Sequence, residues 1–270
     1  METPIINNKY AVIEKIGAGS FGAIYKGQNV RTKEYVAIKV EPISNDLKLL
    51  LNESKIYQHL NGCDGIPNVK WFGKDDMNYY MVVNLLGPSL QDLAQQFSPF
   101  SLGLILKIGI KIILLLKTIH EKGLVHRDVK PDNFLFGLNK MNEIYLIDFG
   151  FCRSYLDSSN NNAHIKMKNT HSMIGSKTYA SIMSHKRVEL SRRDDLESLG
   201  YMLLYFYSGC LPWSREKSED AIVGLKHDII HSSQYPAVLL QYMKQVRAME
   251  FEETPNYYWF INRFKEELEK

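Results

Sequence analysis

The sequence has few cysteines and no strong excess of charge of one sign. The three cysteines among 270 residues, Cys63, Cys152 and Cys210, are widely spaced and form no C-x-x-C pair. This argues against a disulfide framework or a zinc site and indicates a reducing compartment. The formal net charge of +3 does not by itself point to a nucleic-acid partner. With 45% hydrophobic and 23% charged residues, the composition excludes disordered, collagen-like and coiled-coil chains.

Long apolar runs are also missing. The most hydrophobic stretch, Leu102 to Ile119, is interrupted by Lys107, Lys111 and Lys117. It therefore falls short of the roughly 20 apolar residues that a membrane helix needs. The first ten residues, METPIINNKY, lack an apolar core, so we expect no secretory signal. We expect an intracellular protein that is located in the cytoplasm, in the nucleus or in both, with no membrane partner.

The pattern of residues changes near Gly87 and Pro88. Short β-branched and aromatic runs before this point predict strands at Tyr10–Ile16, Ala23–Gln28, Tyr35–Glu41, Val69–Phe72 and Tyr79–Leu85, with one helix at Asp46–Leu60. Later periodicities predict helices at Leu90–Gln96, Leu102–His120, Asp194–Ser208, Pro236–Arg247 and Tyr257–Leu268, and the run NFLFG…EIYLIDFG predicts a hairpin. We therefore predict an α+β protein with a small β-rich part, residues 1–86, and a larger helical part, residues 87–270.

A glycine-rich run, GAGSFG at residues 17–22, lies between the first two predicted strands. It matches G-x-G-x-x-G, a weak signal when it stands alone. A dinucleotide site of the Rossmann type needs a helix directly after the glycines, whereas here a strand, AIYKGQ, follows. A glycine loop between two strands can cover nucleotide phosphates with its backbone N–H groups. The alternative is a simple hairpin turn.

The strand VAIK at residues 36–39 carries a lysine, and the predicted helix that follows it carries a glutamate that could pair with this lysine. On a strand, Ala37 and Lys39 share one face, which fits an adenine ring and an ammonium group that contacts its phosphates. Glu53 lies in an apolar helix stripe with Leu49, Ile56 and Leu60. Strand lysines and helix glutamates usually face water, but a carboxylate among apolar residues is costly unless it is paired. The pattern therefore predicts a Lys39–Glu53 ion pair.

The most specific signal is HRDVKPDN at residues 126–133, followed by Asp148-Phe149-Gly150. Phosphoryl transfer needs alignment and charge neutralisation more than covalent chemistry. Asp128 can orient or accept the proton of an attacking hydroxyl, and Lys130 can stabilise charge on the transferring group. Asn133 and Asp148 can supply oxygen ligands to Mg²⁺. In this order, behind the glycine loop and VAIK, the motifs form the set used by protein kinases.

The chain resembles a protein kinase along its length and, more narrowly, the casein kinase I family. The closer resemblance is carried by ESKIYQHL at 53–60, LLGPSLQDL at 85–93, HRDVKPDNFL at 126–135, SRRDDLESLGY at 191–201 and LPW at 211–213. It implies a bilobal kinase fold, ATP and Mg²⁺ as cofactors, and phosphorylation of serine and threonine in proteins. It also implies that Asp195 holds the catalytic loop through backbone hydrogen bonds.

The resemblance implies a set of site residues. The catalytic residues are Asp128, Lys130 and Asn133, and the metal ligands are Asn133 and Asp148. The ATP-binding residues are Ile16, Gly17, Ala18, Gly19, Ser20, Phe21, Gly22, Ala23, Ile24, Ala37, Lys39, Glu53, Val83, Leu85, Leu86, Leu135 and Asp148. Among these, the resemblance implies that Leu85 and Leu86 form the hinge and that Val83 is the gatekeeper.

The sequence departs from this family where a phosphate already present on the substrate would bind. The family pattern Gly-Thr-Ala-Arg-Tyr is GSKTY at 175–179, and Gly224 stands where a pocket lysine is expected. Lys177, Arg215 and Lys226 are the candidates that could rebuild an anion pocket. The resemblance itself implies acidic or phosphorylated protein substrates.

Residues 151–193, called here the basic segment, carry eight basic residues against two acidic ones. The local charge of +6 predicts a surface that steers acidic or phosphorylated peptides. The alternative is a solvated loop with scattered lysines. We expect a monomer without a nucleic-acid partner. A vaccinia-related-kinase-like enzyme and a pseudokinase scaffold are the alternatives to a casein kinase I-like enzyme.

Overall fold

The structure is a computed structural model that describes residues 4–19, 22–45 and 48–270. The chain divides into two compact units. The first comprises the chain up to Pro88 together with Leu135–Gly150, and the second comprises Ser89–Phe134 and Phe151–Lys270. The predicted hairpin from Leu135 onward and the Asp148-Phe149-Gly150 motif thus belong to the first unit. The boundary drawn between residues 86 and 87 stays a prediction.

The described residues form the following elements, numbered in chain order. The strands are β1 Ile5–Ile6, β2 Tyr10–Gly19, β3 Gly22–Asn29, β4 Tyr35–Pro42, β5 Val69–Lys74, β6 Asn78–Asn84, β7 Leu124–Val125, β8 Phe134–Gly137, β9 Lys140–Leu146, β10 Arg153–Ser154, β11 Leu156–Asp157 and β12 Ala163–His164. The helices are α1 Leu49–His59, α2 Leu90–Phe97, α3 Leu102–Glu121, α4 Ile182–His185, α5 Arg192–Ser208, α6 Glu219–Asp228, α7 Ala237–Arg247 and α8 Tyr257–Leu268. Short 3-10 helices span Pro131–Asn133 and Ile229–His231.

The first unit is built on an antiparallel sheet with strand order β1-β2-β3-β4-β6-β5. Along β4, Val36 and Ile38 are fully buried, while Ala37 and Lys39 lie on the opposite, partly exposed face. This is the period-two alternation of a half-buried strand. Val36 and Ile38 form a core with Tyr10 and Val82. The sheet therefore presents Ala37 and Lys39 away from its own core.

The second unit is mainly helical, and α3 and α5 run through its core. Ten residues of α3 and thirteen of α5 are buried. α3 packs against α5 and α8, and α5 packs against α7. The predicted α+β class, with a β-rich part and a larger helical part, is confirmed.

Most of the predicted elements are present, but two helices were missed. The sequence analysis did not predict α4 or α6. The start of α6 carries ordinary signals that could have been used, since Ser218 caps the helix by accepting a hydrogen bond from the Ala221 N–H group and two acidic residues follow it. None of the helices in the described ranges combines the length and the hydrophobicity needed to span a bilayer.

Candidate active site

Lys39 of β4 forms an ion pair with Glu53 of α1. Lys39 Nζ and Glu53 Oε2 are 2.6 Å apart, and the Glu53 carboxylate is buried. The lysine satisfies a carboxylate that would otherwise be an isolated buried charge, which is why the apolar stripe of α1 can contain it. The ion pair predicted from the sequence is confirmed.

Asp148 brings a second carboxylate to the same lysine. Lys39 Nζ lies 2.9 Å from Asp148 Oδ1. Burial disfavours the charged lysine, but the carboxylates of Glu53 and Asp148 outweigh this effect and raise the pKa of Lys39 above its ordinary value. The ammonium group is therefore charged at neutral pH.

The backbone of the Asp148-Phe149 segment is held by α1. The Phe149 N–H group hydrogen-bonds to Glu53, and the Tyr57 ring contacts the Phe149 ring edge-on at 5.0 Å between centroids. Asp148 itself has a positive φ of 65°, which is uncommon for a residue other than glycine. Such conformations persist where surrounding contacts impose them, and they cluster at functional sites.

Glu41 is a positioning residue that the sequence analysis missed. It is 2% exposed, lies two residues after Lys39, and its carboxylate accepts hydrogen bonds from the Leu49 and Leu50 N–H groups at 3.2 and 2.9 Å. These groups at the start of α1 lack partners within the helix, and the helix dipole favours an anion there. β4 thus carries Lys39 and also fixes the start of the helix that carries Glu53.

The glycine-rich run joins paired strands. β2 and β3 are paired as far as Gly19 and Gly22, with two register shifts earlier in the pair, so Gly17, Ala18 and Gly19 end one strand and Gly22 begins the next. A Cβ atom on Gly22 would lie 1.9 Å from the Val40 carbonyl oxygen, so only glycine fits there. The predictions at Ser20 and Phe21 lie outside the described residues.

The sheet register brings several of the predicted ATP-binding residues together. Ala37 is paired with Val83, and Ile24 is paired with Lys39. Gly87 follows Leu85 and Leu86, and its N–H group donates to the Phe136 carbonyl oxygen at 2.8 Å. Phe136 lies on β8, the strand that also carries Leu135. Ile16 and Ala23 lie on β2 and β3 of the same sheet. Their roles in ATP binding stay predictions.

In the second unit, the carboxylate of Asp128 is surrounded by donors. Lys130 Nζ donates to Asp128 Oδ2 at 2.6 Å, and the Ser176 N–H group donates to Oδ1 at 3.1 Å. The Asn133 amide nitrogen donates to the Asp128 carbonyl oxygen at 2.8 Å. The sequence-predicted catalytic residues Asp128, Lys130 and Asn133 therefore form one connected group, although Asp128 itself is only 4% exposed.

Asp195 of α5 supports the loop that carries Asp128. Its carboxylate accepts hydrogen bonds from the His126 and Arg127 N–H groups at 2.7 and 2.8 Å. The backbone contacts expected for Asp195 from the family resemblance are thus present. Arg127 has a positive φ of 68°, and these contacts help to hold it.

A buried histidine extends this support to the last helix, and the sequence analysis missed it. His120 Nε2 lies 2.9 Å from Asp195 Oδ2, and His120 Nδ1 lies 2.7 Å from the Tyr257 hydroxyl oxygen. Burial lowers the pKa of His120, so the ring is neutral. Hydrogen bonds from His120 and the backbone outweigh burial and hold the pKa of Asp195 below its ordinary value. Nε2 therefore donates to Asp195, and Tyr257 donates to Nδ1.

A second buried carboxylate, Glu189, pairs with Arg127. Arg127 Nη1 lies 3.6 Å from Glu189 Oε1, and Arg153 Nη1 lies 3.1 Å from Oε2. Burial lowers the pKa of Arg127, and Glu189 opposes this effect. Glu189 thus serves as counter-ion for two arginines, one from the catalytic loop and one from the basic segment.

The anion-pocket prediction is wrong for Lys226. Its side chain is fully buried, and Nζ donates to the Lys177 and Ala180 carbonyl oxygens at 2.9 and 2.7 Å. Its ammonium group is therefore not available to a substrate phosphate. Lys177 and Arg215 are exposed, and their role in binding an anion stays a prediction.

The family model of the protein kinase domain matches residues 10–256, nearly the whole chain. The chain belongs to the protein kinase family. The kinase therefore acts as a phosphotransferase on proteins, and kinase domains generally use ATP and Mg²⁺.

Asp148 of the first unit and Asn133 of the second unit each carry an oxygen atom of the kind that Mg²⁺ prefers, a carboxylate oxygen and an amide oxygen. The Asn133 nitrogen is used by Asp128, so its oxygen is the atom left for a metal. The charged Lys39 suits phosphate oxygens.

Proposed function

We propose that this kinase transfers the γ-phosphate of ATP to serine and threonine hydroxyls of acidic or phosphorylated proteins, as casein kinase I enzymes do. The hydroxyl oxygen forms a bond to the γ-phosphorus, and the bond from that phosphorus to the β,γ-bridging oxygen breaks. The hydroxyl proton passes to Asp128, and ADP leaves with the bridging oxygen. Bound Mg²⁺ supplies charge neutralisation on the phosphates.

The observation that carries this proposal is the connected group around Asp128. A carboxylate that orients a hydroxyl must be held in place, and Lys130 Nζ donates to Asp128 Oδ2 at 2.6 Å. We assign to the same ammonium group the stabilisation of charge on the transferring phosphoryl group. A scaffold without activity would not need this arrangement, which argues against the pseudokinase alternative.

Lys39 supports the proposal from the nucleotide side. Its charge is maintained by Glu53 and Asp148, and phosphate oxygens can replace or share the Asp148 contact. We assign Lys39 to the phosphates and Asp148 and Asn133 to Mg²⁺. The resemblance of HRDVKPDNFL and SRRDDLESLGY to casein kinase I supports a casein kinase I-like enzyme, with Ser/Thr specificity, over the vaccinia-related-kinase-like alternative.

The preference for acidic substrates is supported by the surface of the basic segment. Six of its eight cationic residues are exposed, namely Arg153, Lys166, Lys168, Lys177, Lys186 and Arg187. Arg192 is buried and bonds to the Glu252 carbonyl oxygen, so it does not contribute to this surface. The exposed cations would attract acidic or phosphorylated peptides. We also propose that the kinase acts as a monomer in the cytoplasm, the nucleus or both.

The test is phosphate transfer from Mg-ATP to three matched serine peptides. One carries a phosphoserine three residues before the acceptor, one carries an acidic run and one is neutral. Asp128→Asn is the blank, because an amide cannot accept the proton. A threonine version and a tyrosine version of the best peptide test the hydroxyl specificity.

We expect transfer to the serine and threonine peptides with a preference for negative charge. A preference for the phosphorylated peptide would indicate an anion site at Lys177 and Arg215. Equal rates on the three serine peptides would refute the substrate preference. Transfer no faster than in Asp128→Asn, on these peptides and on casein, would refute the assignment of catalysis.

A further inference from the structure

The phosphoryl-transfer mechanism does not explain why Lys226, an ionisable residue, is buried. It lies in the last turn of α6, and its side chain is inaccessible to solvent. Its Nζ atom contacts three polar atoms, the carbonyl oxygens of Lys177 and Ala180 and the Nε2 atom of His185, the last at 3.0 Å. Because an ammonium group has three donors and no acceptor, these three contacts use its full capacity.

Aromatic rings complete the surroundings of Lys226. Its Nζ atom lies 4.8 Å from the centroid of the Tyr201 ring and 5.3 Å from that of Trp213. Trp213 also donates from Nε1 to the Thr178 carbonyl oxygen at 2.8 Å. Lys226 and Trp213 together hold the carbonyl groups of residues 177, 178 and 180. The N–H groups of Tyr179 and Ala180 donate to the Ser176 carbonyl oxygen in a turn, whereas the carbonyl groups of this short run are bound by side chains.

The run at 177–180 begins directly beside the Asp128 carboxylate. The preceding N–H group, that of Ser176, donates to Asp128 Oδ1. Gly175 has φ +88°, and a Cβ atom there would lie 2.7 Å from the Arg127 carbonyl oxygen. A peptide that presents its hydroxyl to Asp128 must therefore pass next to residues 175–180.

We propose that Lys226 is a positioning residue that fixes the backbone of residues 177–180 as the surface on which the peptide substrate lies. This inference rests on the proposed function, because it assigns the adjacent backbone to the protein substrate of the same site. The residue acts through carbonyl groups and does not touch the substrate itself.

The protonation pattern around Lys226 agrees with this role. If the ammonium group donates to His185 Nε2, then His185 Nδ1 carries a proton and can donate to Glu219 Oε1, 3.3 Å away. Burial, followed by the Lys226 charge, lowers the pKa of His185, so the ring is neutral as this pattern requires. The other charged or titratable groups that face Lys226 are Glu197, Arg247 and Tyr201. Every donor in this network thus has an acceptor, which is expected of buried polar groups.

Burying a charged lysine at this position costs free energy. A side chain that only fills space would not need the charge, so the cost favours a positioning role. Burial lowers the pKa of Lys226 to about 7, well below the ordinary value of 10.5. A methionine of similar length would fill the space without a buried charge. It would leave the carbonyl groups of residues 177 and 180 without their lysine donor.

The experiment compares Lys226→Met with Lys217→Met, which removes the same charge from an exposed lysine just before α6. Hydrogen exchange is measured on segments covering residues 174–184, and KM is measured separately for peptide and for ATP. In Lys226→Met we expect faster exchange confined to this segment and a peptide KM raised about tenfold, which corresponds to about 1.4 kcal/mol. We expect the KM for ATP to change less than twofold, and Lys217→Met to match the wild type.

Each other outcome decides against a defined part of the inference. Unchanged exchange in Lys226→Met would overturn the positioning role, whatever the kinetics. Faster exchange with equal rises in both KM values would overturn the link to the peptide. If the wild type transfers no phosphate, the proposed function fails, while hydrogen exchange still tests the fixing of residues 177–180. If Lys226→Met does not fold, Lys226→Leu, which also removes the donor, is used, and unchanged exchange there counts against the inference.

Discussion

At the scale of single residues, the pKa values of Lys39 and Lys226 are shifted in opposite directions, although both side chains donate to protein oxygens. Lys39 is surrounded by Glu53 and Asp148, and its pKa is raised. Lys226 is surrounded by neutral carbonyl groups and aromatic rings, and its pKa falls to about 7. The difference follows from the partner, because a carboxylate compensates the loss of hydration of an ammonium group and a carbonyl group does so only in part. Only the second lysine titrates near neutral pH.

The lowered pKa of Lys226 predicts how stability depends on pH. Between about pH 7 and pH 10.5 the unfolded chain binds a proton at Lys226 that the folded chain does not. The free energy of unfolding of the wild type should therefore rise with pH in this window relative to Lys226→Met. Below about pH 7 both states bind the proton, and the difference between the proteins should be constant. Urea unfolding at about pH 6, 7, 8 and 9 measures it, and a pH-independent difference throughout would contradict the assigned pKa.

Sequence reasoning predicts some of these residue contacts and not others, for a physical reason. The Lys39–Glu53 pair was predictable because two regular periodicities, one of a strand and one of a helix, place the charges on defined faces. Glu41 was missed because its contact with Leu49 and Leu50 depends on how the chain turns back between β4 and α1. Lys226 was assigned to an anion pocket although its side chain is buried. The reason is that α6 was not predicted, so the buried face of this helix could not be assigned.

At the scale of elements, most strand and helix positions follow from local patterns. The boundaries of α3 and α8 agree within one residue with the prediction, since their apolar periodicity is long and their N-caps are Ser101 and Asn256. α6 has a shorter pattern that includes a glycine and several charged residues, and its hydrophobic face is narrow. The sequence patterns do not predict the conformation of residues 175–180, because tertiary contacts rather than a periodic pattern determine it.

Alanine substitutions at two glycines distinguish the effect of backbone strain on stability from the effect of helix propensity. Gly175→Ala should destabilise the protein by about 1–3 kcal/mol, because φ is +88° and the added Cβ would meet the Arg127 carbonyl oxygen at 2.7 Å. It should also lower kcat, since the Ser176 contact with Asp128 is displaced. Gly224→Ala is the matched control, since no atom lies within 4 Å of its added Cβ and alanine favours a helix. Denaturant unfolding and peptide kinetics measure both, and equal behaviour of the two variants would refute the strain at Gly175.

At the scale of the whole molecule, charge is distributed unevenly. The chain carries +3 in total, whereas residues 151–193 carry +6, so the remainder of the chain is slightly acidic. Long-range attraction of an acidic substrate would thus come from one part of the second unit. Within that part Glu189 is buried and pairs with Arg127 and Arg153, so it weakens the surface potential without being exposed itself.

This distribution predicts the salt dependence of catalysis. The ratio of kcat/KM for an acidic peptide to that for a neutral peptide should fall several-fold between about 0.01 and 0.15 M salt, since the screening length shortens from about 30 to about 8 Å. The ratio should fall less in a variant in which Lys166 and Lys168 are both changed to glutamine. The matched control replaces Lys265 and Lys270 of the same unit, outside the basic segment. If both peptides respond equally to salt in the wild type, electrostatic steering by this surface is refuted.

The contact between His120 and Tyr257 also bears on when the protein becomes active during its synthesis. The two residues are 137 positions apart, and Asp195 lies 69 positions after the His126 N–H group that it binds. A ribosome makes the loop with Asp128 long before it makes α5 and α8. The nascent chain therefore lacks Tyr257, the partner of His120, until that residue has left the exit tunnel, and a contact of such long range forms late. A polypeptide released before that point would carry every catalytic side chain and still lack one of the contacts that support the loop.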